Sequence, residues 1–127
     1  MSWKEYVDTS LVGTGKFDKA AICSREGNSI WASSSGFDLK LNELTALASG
    51  FDNPSQVQAS GFYLSQQKYV TIRAEDRSIY GKQGCEGVYC VRTHKVIIIG
   101  HFPKTTQAGE AAKIIEALAD YLISVGF

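Results

Sequence analysis

From Thr106 to the end of the chain, apolar residues recur at steps of three and four. Ala111, Ile114, Ile115, Leu118, Tyr121, Leu122 and Val125 are interleaved with Glu110, Lys113, Glu116 and Asp120. This spacing predicts one long amphipathic helix with a buried stripe. Pro103 ends the preceding segment, Thr106 offers a cap for the first free amides, and Glu110 sets a carboxylate near the positive end of the helix dipole. A shorter helix is predicted over residues 2–9. There Ser2 and Glu5 stand in capping-box spacing, and Trp3, Tyr6 and Val7 fall on one stripe. Gly13 and Gly15 break that pattern.

Residues 20–23 and 29–32 read as two strands joined by a turn through Arg25, Glu26, Gly27 and Asn28, with Trp31 on the second. After the loop Ser33 to Gly36, Asn42 is placed to cap a helix carrying Leu44, Leu47 and Ala48, with Gly50 as its stop and Pro54 forbidding simple continuation. From Gly61 the period changes to two. Apolar-rich segments at residues 62–64, 69–74, 78–80 and 88–92 predict an antiparallel meander. The run Val96, Ile97, Ile98, Ile99 is apolar at both parities, which a strand tolerates only with both sheet faces covered. The expected fold is therefore α/β of the α+β kind, one domain over residues 1–127. Its central antiparallel sheet has about six to seven strands, the N- and C-terminal helices on one face and a smaller helix on the other.

Composition narrows the function more than the fold. Lys plus Arg and Asp plus Glu both number 13, so no global field holds nucleic acid or an anionic membrane. No apolar run approaches the roughly 20 residues of a membrane helix. Cys23, Cys85 and Cys90 form an odd set without CxxC, and His94 and His101 complete no zinc spacing. Reduced, mostly packing thiols are expected, with no metal and no cofactor. Glu75 with Asp76 and Glu110 with Glu116 read as solvent-face pairs. GTG at Gly13 to Gly15 and GKQG at Gly81 to Gly84 lack the context of a phosphate loop and read as turns. His101 reads as a packed or hydrogen-bonded histidine.

Two features remain unabsorbed. If the terminal helices share a sheet face, Trp3, Tyr6, Tyr121 and Phe127 converge over Trp31. Such a cluster suits a polyproline II ligand, whose pyrrolidine rings stack on aromatics while its bare carbonyls take indole N–H and phenol O–H donors. On spacing alone a plain core explains the same rings more simply. Second, Lys68, Arg73, Arg77, Lys82, Arg92 and Lys95 outnumber Glu75, Asp76 and Glu86 across the meander, although Lys and Arg at strand ends ordinarily only keep sheets soluble.

The opening MSWKEYVD, SIWASS around Trp31, GFDNPSQVQASGFYL, RSIYGKQG and the closing ADYLISVGF together resemble a profilin, most similar to the fungal type. The resemblance runs from Met1 to Phe127. It implies a non-catalytic adaptor that binds monomeric actin, sequestering it or delivering it to barbed ends and promoting nucleotide exchange, and that binds proline-rich segments of formins. It also implies phosphoinositide binding (PIP2), a monomeric state, and a place in the cytoplasm at the cytoskeleton. The resemblance assigns proline binding to Trp3, Tyr6, Trp31, Tyr121 and Phe127. The last position is commonly Tyr in the family, so Phe127 stacks without donating. It assigns actin binding to Lys68, Thr71, Arg73, Lys82, Arg92, Thr106, Gln107, Gly109, Lys113 and Glu116, and lipid binding to Arg73 and Arg77. Two other readings are set against it: a small-molecule sensor with the aromatics lining an internal pocket, and a thiol hydrolase using Cys90, although either Cys85 or Cys90 can be drawn with His94 as nucleophile and base.

Overall fold

The computed structural model describes residues 2–127; Met1, first residue of the opening motif, lies outside the described residues. The strand that organises the molecule is the doubly apolar one predicted near residue 97. It runs Val96–Phe102 (β7), and all of its residues are buried. Six further strands, Lys19–Ser24 (β1), Ile30–Ser33 (β2), Phe62–Leu64 (β3), Gln67–Ala74 (β4), Ser78–Gln83 (β5) and Glu86–Arg92 (β6), complete one sheet in the order β2-β1-β7-β6-β5-β4-β3. All neighbours are antiparallel, with Ile22 opposite Ile98 on one side of β7 and Cys90 opposite Ile99 on the other.

Alternation along β7 divides the core in two. Ile97 and Ile99 pack with Leu44, Leu47 and Phe51 of helix α2 (Leu41–Asp52) and Val57 of helix α3 (Pro54–Ser60). Val96 and Ile98 pack with Ala111, Ile115, Leu118 and Leu122 of α4 (Ala108–Ser124) and with Val7 and Leu11 of the N-terminal helical segment. Each fully buried Ile or Leu contributes about 1.5–3 kcal/mol of apolar burial, so a strand feeding both cores is where the layers are joined.

Local signals behave differently from their sequence reading at four points. The opening helix is short, Trp3–Glu5 (α1), with the expected Ser2–Glu5 capping box. It then widens to a π-helix over Tyr6–Leu11 and a 3-10 turn at Val12–Thr14. Gly50 does not stop α2; the position a Cβ would take lies 3.2 Å from Val57, so glycine here serves close helix packing. Pro54, as read, bars simple continuation of α2, which ends at Asp52, and it opens α3 at its first turn, where its missing N–H costs nothing. Thr106 does not cap α4. Its buried hydroxyl donates to Lys16 O at 2.7 Å, and Glu110 reaches back to the amide of Gln107. Asn42 likewise yields its capping role to Lys40, whose amide donates to Glu43 at 3.0 Å.

Glu43 does more than cap. Ser65 and Gln66 in the β3–β4 turn have φ of 52° and 65° without being glycine, a conformation costing about 1–2 kcal/mol per residue. The buried Glu43 carboxylate accepts both of their amides, at 2.9 and 2.7 Å. Glu43→Gln replaces one acceptor oxygen by a donor facing a donor, so it is expected to lower unfolding stability by about 2 kcal/mol and to speed amide exchange at Ser65 and Gln66. Unchanged urea unfolding and exchange would remove the carboxylate from that role. The thiols give a second check. Cys23 and Cys90 are fully buried and Cys85 is exposed. Burial pushes the Cys23 thiol up to about 12, and burial with Cys23 as neighbour pushes Cys90 well above its ordinary value. A thiol-reactive reagent is therefore expected to label Cys85 alone in the native protein, and all three cysteines only in denaturant; rapid native labelling of Cys90 would contradict this packing.

Candidate functional site

The chain's two ends meet. The Ser2 cap starts α1, and Lys4 Nζ donates to Ser33 O at 2.7 Å, fastening α1 to the strand that carries Trp31. At the other end the amide of Phe127 donates to Leu122 O at 2.8 Å. The main-chain oxygen of Phe127 accepts from the Lys95 amide at 2.7 Å and the Thr93 hydroxyl at 2.8 Å. The β6–β7 turn thus fixes the last aromatic ring. Trp3 then stands at the junction: its ring lies 4.9 Å from Trp31 and 4.9 Å from Phe127, both edge-on, and 5.6 Å from Tyr6. Tyr6 lies 6.3 Å from Tyr121.

These five rings, all named from the sequence, form one contiguous row that branches at Trp3. They are not core: Trp3, Tyr6, Trp31 and Phe127 are half-buried against it, and Tyr121 is 51% exposed. Edge-on contacts of Trp3 with Trp31 and Phe127, and tilted ones through Tyr6 to Tyr121, hold each ring by its neighbours while all five keep some exposure to water. Desolvation, then the adjacent Tyr121 phenol, raises the Tyr6 phenol above its ordinary value, so at neutral pH it carries its proton and is a donor. Such a surface can stack flat saturated rings and supply hydrogen bonds to carbonyls.

A second surface lies on the side of the sheet that α4 only partly covers. Phe62, Leu64, Tyr69 and Ala74 point to the α2–α3 core. Their strand neighbours Tyr63, Lys68 and Val70, and Lys82 opposite Val70, point the other way. Tyr63 and Val70 are more than half exposed there, at 52% and 62%, and Ile72, at the register shift between Thr71 and Arg73, is 55% exposed. Arg73, Gln107, Gly109 and Lys113 are also exposed. A Cβ at Gly109 would meet nothing within 4 Å, so no contact of the chain itself requires glycine at that position.

The structure does not bring the whole sequence-derived set onto this surface. Thr71 turns to the opposite face, where its hydroxyl donates to Val57 O of α3 at 2.7 Å. Arg92 lies on that face too, its guanidinium over the Phe51 ring and 2.7 Å from Asp52. Thr106 is buried. Glu116 is no solvent-face carboxylate: it accepts from Arg77 Nε at 2.9 Å, Ser78 Oγ at 2.6 Å and Tyr89 Oη at 3.4 Å, binding α4 to β5 and β6. The two arginines assigned to lipid are internally compensated, Arg73 by Glu75 and Arg77 by both Glu116 and Asp120. Sequence reasoning missed Tyr63, Val70 and Ile72. For Tyr63 and Val70, alternation with the buried Phe62, Leu64 and Tyr69 was the available signal; for Ile72, at the register shift, there was none.

The alternative chemistries find little support in the geometry. A cavity of about 660 Å³ lies between α2, α3 and β3, but its lining includes Asn42, Ala46, Val57 and Phe62 and none of the five clustered rings. Cys90 is sealed in the core while His94 is exposed. His101 is a hydrogen-bonded buried histidine, with Nδ1 2.6 Å from Asp18 and Nε2 3.1 Å from Glu86. Its two nitrogens are taken by separate carboxylates on opposite ring edges.

Comparison with known proteins settles the lineage. The family model described as Profilin matches residues 1–127. The chain is 58% identical to the profilin of Schizosaccharomyces pombe and 54% identical to that of Saccharomyces cerevisiae, each over the full length of both proteins. Its coordinates superpose on crystalline S. pombe profilin with a TM-score of 0.96, covering 99% of this chain and 100% of that one. Mouse profilin IIa, solved in complex with a double repeat from the FH1 domain of mDia1, shares the fold at 22% identity, with a TM-score of 0.84 over 100% of both chains. The chain belongs to the profilin family of actin-binding regulators.

Proposed function

We propose that this profilin is a two-surface adaptor: the ring row takes proline-rich segments, and the bare β3–β5 sheet face, with the start of α4, takes monomeric actin. The observation that carries the first half is the contiguity of Trp31, Trp3, Phe127, Tyr6 and Tyr121 at the surface. The mouse relative solved with an FH1 repeat supports the same ligand class here. Phe127 supplies a stacking face without a phenol, so the hydrogen bonds to a proline carbonyl come from Trp3, Trp31, Tyr6 and Tyr121.

For the second half, the supporting observation is an exposed apolar strip, Tyr63, Val70 and Ile72, edged by Lys68, Arg73, Lys82 and Lys113. A contiguous apolar patch with a polar rim is what a protein partner covers. Bound there, the protein sequesters actin monomers or carries them to growing filament ends. It speeds nucleotide exchange only by favouring a more open actin state. Thr71, Arg92 and Thr106 contribute by ordering the strands and the helix start rather than by direct contact. The action is association in the cytoplasm, with no catalytic step. Phosphoinositide headgroups remain part of the proposal through Arg73 and Arg77, and there phosphate must displace Glu75, Glu116 and Asp120 from the guanidinium groups.

Tyr6→Asp places a charge in the middle of the ring row and is expected to weaken polyproline binding by about 30-fold or more, measured by tryptophan fluorescence titration. Actin affinity should stay unchanged. Peptide affinity equal to that of the unaltered protein would refute the groove. Lys82→Glu reverses a charge on the sheet face and is expected to reduce actin affinity about ten-fold with polyproline binding intact. Equal actin affinity in a sedimentation or anisotropy titration would take Lys82 off that surface.

A further inference from the structure

The ring row is electrically lopsided. Beyond Phe127 stands Lys95, exposed, its Nζ 5.4 Å from the centre of the Phe127 ring. Arg25 lies behind it: the Arg25 amide donates to Lys95 O at 2.9 Å, and its guanidinium donates to the carbonyl of Thr93, the residue whose hydroxyl holds Phe127. None of the ion pairs among the described residues includes Lys95 or Arg25. At the opposite end the charges are otherwise. Lys4 is paired with Asp8 at 3.5 Å, Asp120 is taken by Arg77, and the Glu5 carboxylate beside Tyr6 accepts from Ser2 and enters none of the ion pairs among the described residues.

From this we infer that the groove selects proline-rich segments carrying an acidic residue next to the end of the proline run that lies over Phe127, with Lys95 as the residue that reads it. The inference rests on the ring row being the proline site. A polyproline II run is uncharged and uniform, so rings and donors alone cannot set which stretch of a longer proline-rich chain is preferred, nor its direction. A flanking carboxylate can do both, because Lys95 and Arg25, two cations outside every ion pair among the described residues, stand on the Phe127 side of the rings. Attraction at an exposed rim is modest and is screened by salt, so the effect is a preference superposed on binding by the rings.

The test uses the full chain and four capped peptides: a neutral ten-proline run, the same run with two Asp before it, with two Asp after it, and with two Lys at the flank that Asp favours. Binding is followed by tryptophan fluorescence in low and high salt. The expected result is that one Asp-flanked peptide, and not the other, binds about two- to five-fold tighter than the neutral run in low salt, and that its Lys counterpart binds more weakly. Lys95→Met keeps the stem against the ring and removes the charge, so it should erase the gain while leaving the neutral peptide's affinity within about two-fold. Lys95→Glu should transfer the preference to the Lys-flanked peptide. Neutral binding with no Asp gain, or an Asp gain that persists undiminished in both variants, overturns the role of Lys95 and leaves the groove standing. Failure of the neutral run to bind at all would instead remove the groove, and the inference with it.

Discussion

A strand buried on both faces dictates the rest of this molecule. β7 cannot be solvated on either side, so helices must lie above and below it, and their size then decides what else is covered. A helix about 10–12 Å wide spans roughly two strands spaced 4.7–4.9 Å apart. On one side α4 and the N-terminal helical segment cover the part of the sheet around β1, β7 and β6. Seven strands are too many for them. The uncovered remainder of that face, β3 to β5, is where Tyr63, Val70 and Ile72 meet water, and a bare apolar strip on a sheet must be charged at its margins or covered by a partner.

The same arithmetic explains why the aromatic residues are a surface. Beneath them the space between helices and sheet is already filled by Val7, Leu11, Ala32 and Ile98. Trp3, Tyr6, Trp31 and Phe127 therefore form an outer layer, supported from below and from the side. Their positions are fixed by main-chain hydrogen bonds as well as by packing: Lys4 to Ser33 at one end of the chain, Thr93 and Lys95 to Phe127 at the other. A row of rings so held has little freedom left to lose when it binds a ligand that is itself stiff, which is the condition under which stacking yields affinity.

Much of this is written in apolar spacing. The amphipathic run after Ala108, the double parity of Val96 to Ile99 and the alternation after Gly61 lead to the layers without help from structure. Punctuation is where reading by residue type fails. Gly50 is read as a terminator, yet it lies inside α2, because a contact with Val57 gives it a use that composition does not reveal; Pro54 does bar simple continuation, α2 ending at Asp52 and α3 opening at the proline. Glu116 looks solvent-facing from its helical spacing, but its partners Arg77, Ser78 and Tyr89 come from strands far away in the chain. The five rings are legible as residues, and their convergence depends on two chain ends meeting. Thr71 and Arg92 fall on the wrong face for the sheet surface. In β4 the register shifts between Thr71 and Arg73, so parity counted along the strand changes side there.

One element serves both surfaces. In the proposed reading the start of α4 belongs to the sheet-face site, while Glu116 at its middle is tied to β5 and β6 and its last turn delivers Tyr121 and then Phe127 to the ring row. Because Glu116 and the Leu122–Phe127 link fasten the helix at two levels, a partner at one end has no soft element through which to displace the other end. Coupling between sites requires an element with two arrangements that both ligands bias, and α4, fastened in this way, shows a single arrangement. Under the proposed reading the two partners therefore bind independently, and what the protein adds is proximity. A monomer held on the sheet face and a proline-rich chain held on the rings become neighbours at an effective concentration set by that chain's own length. That gain requires α4 to be stiff.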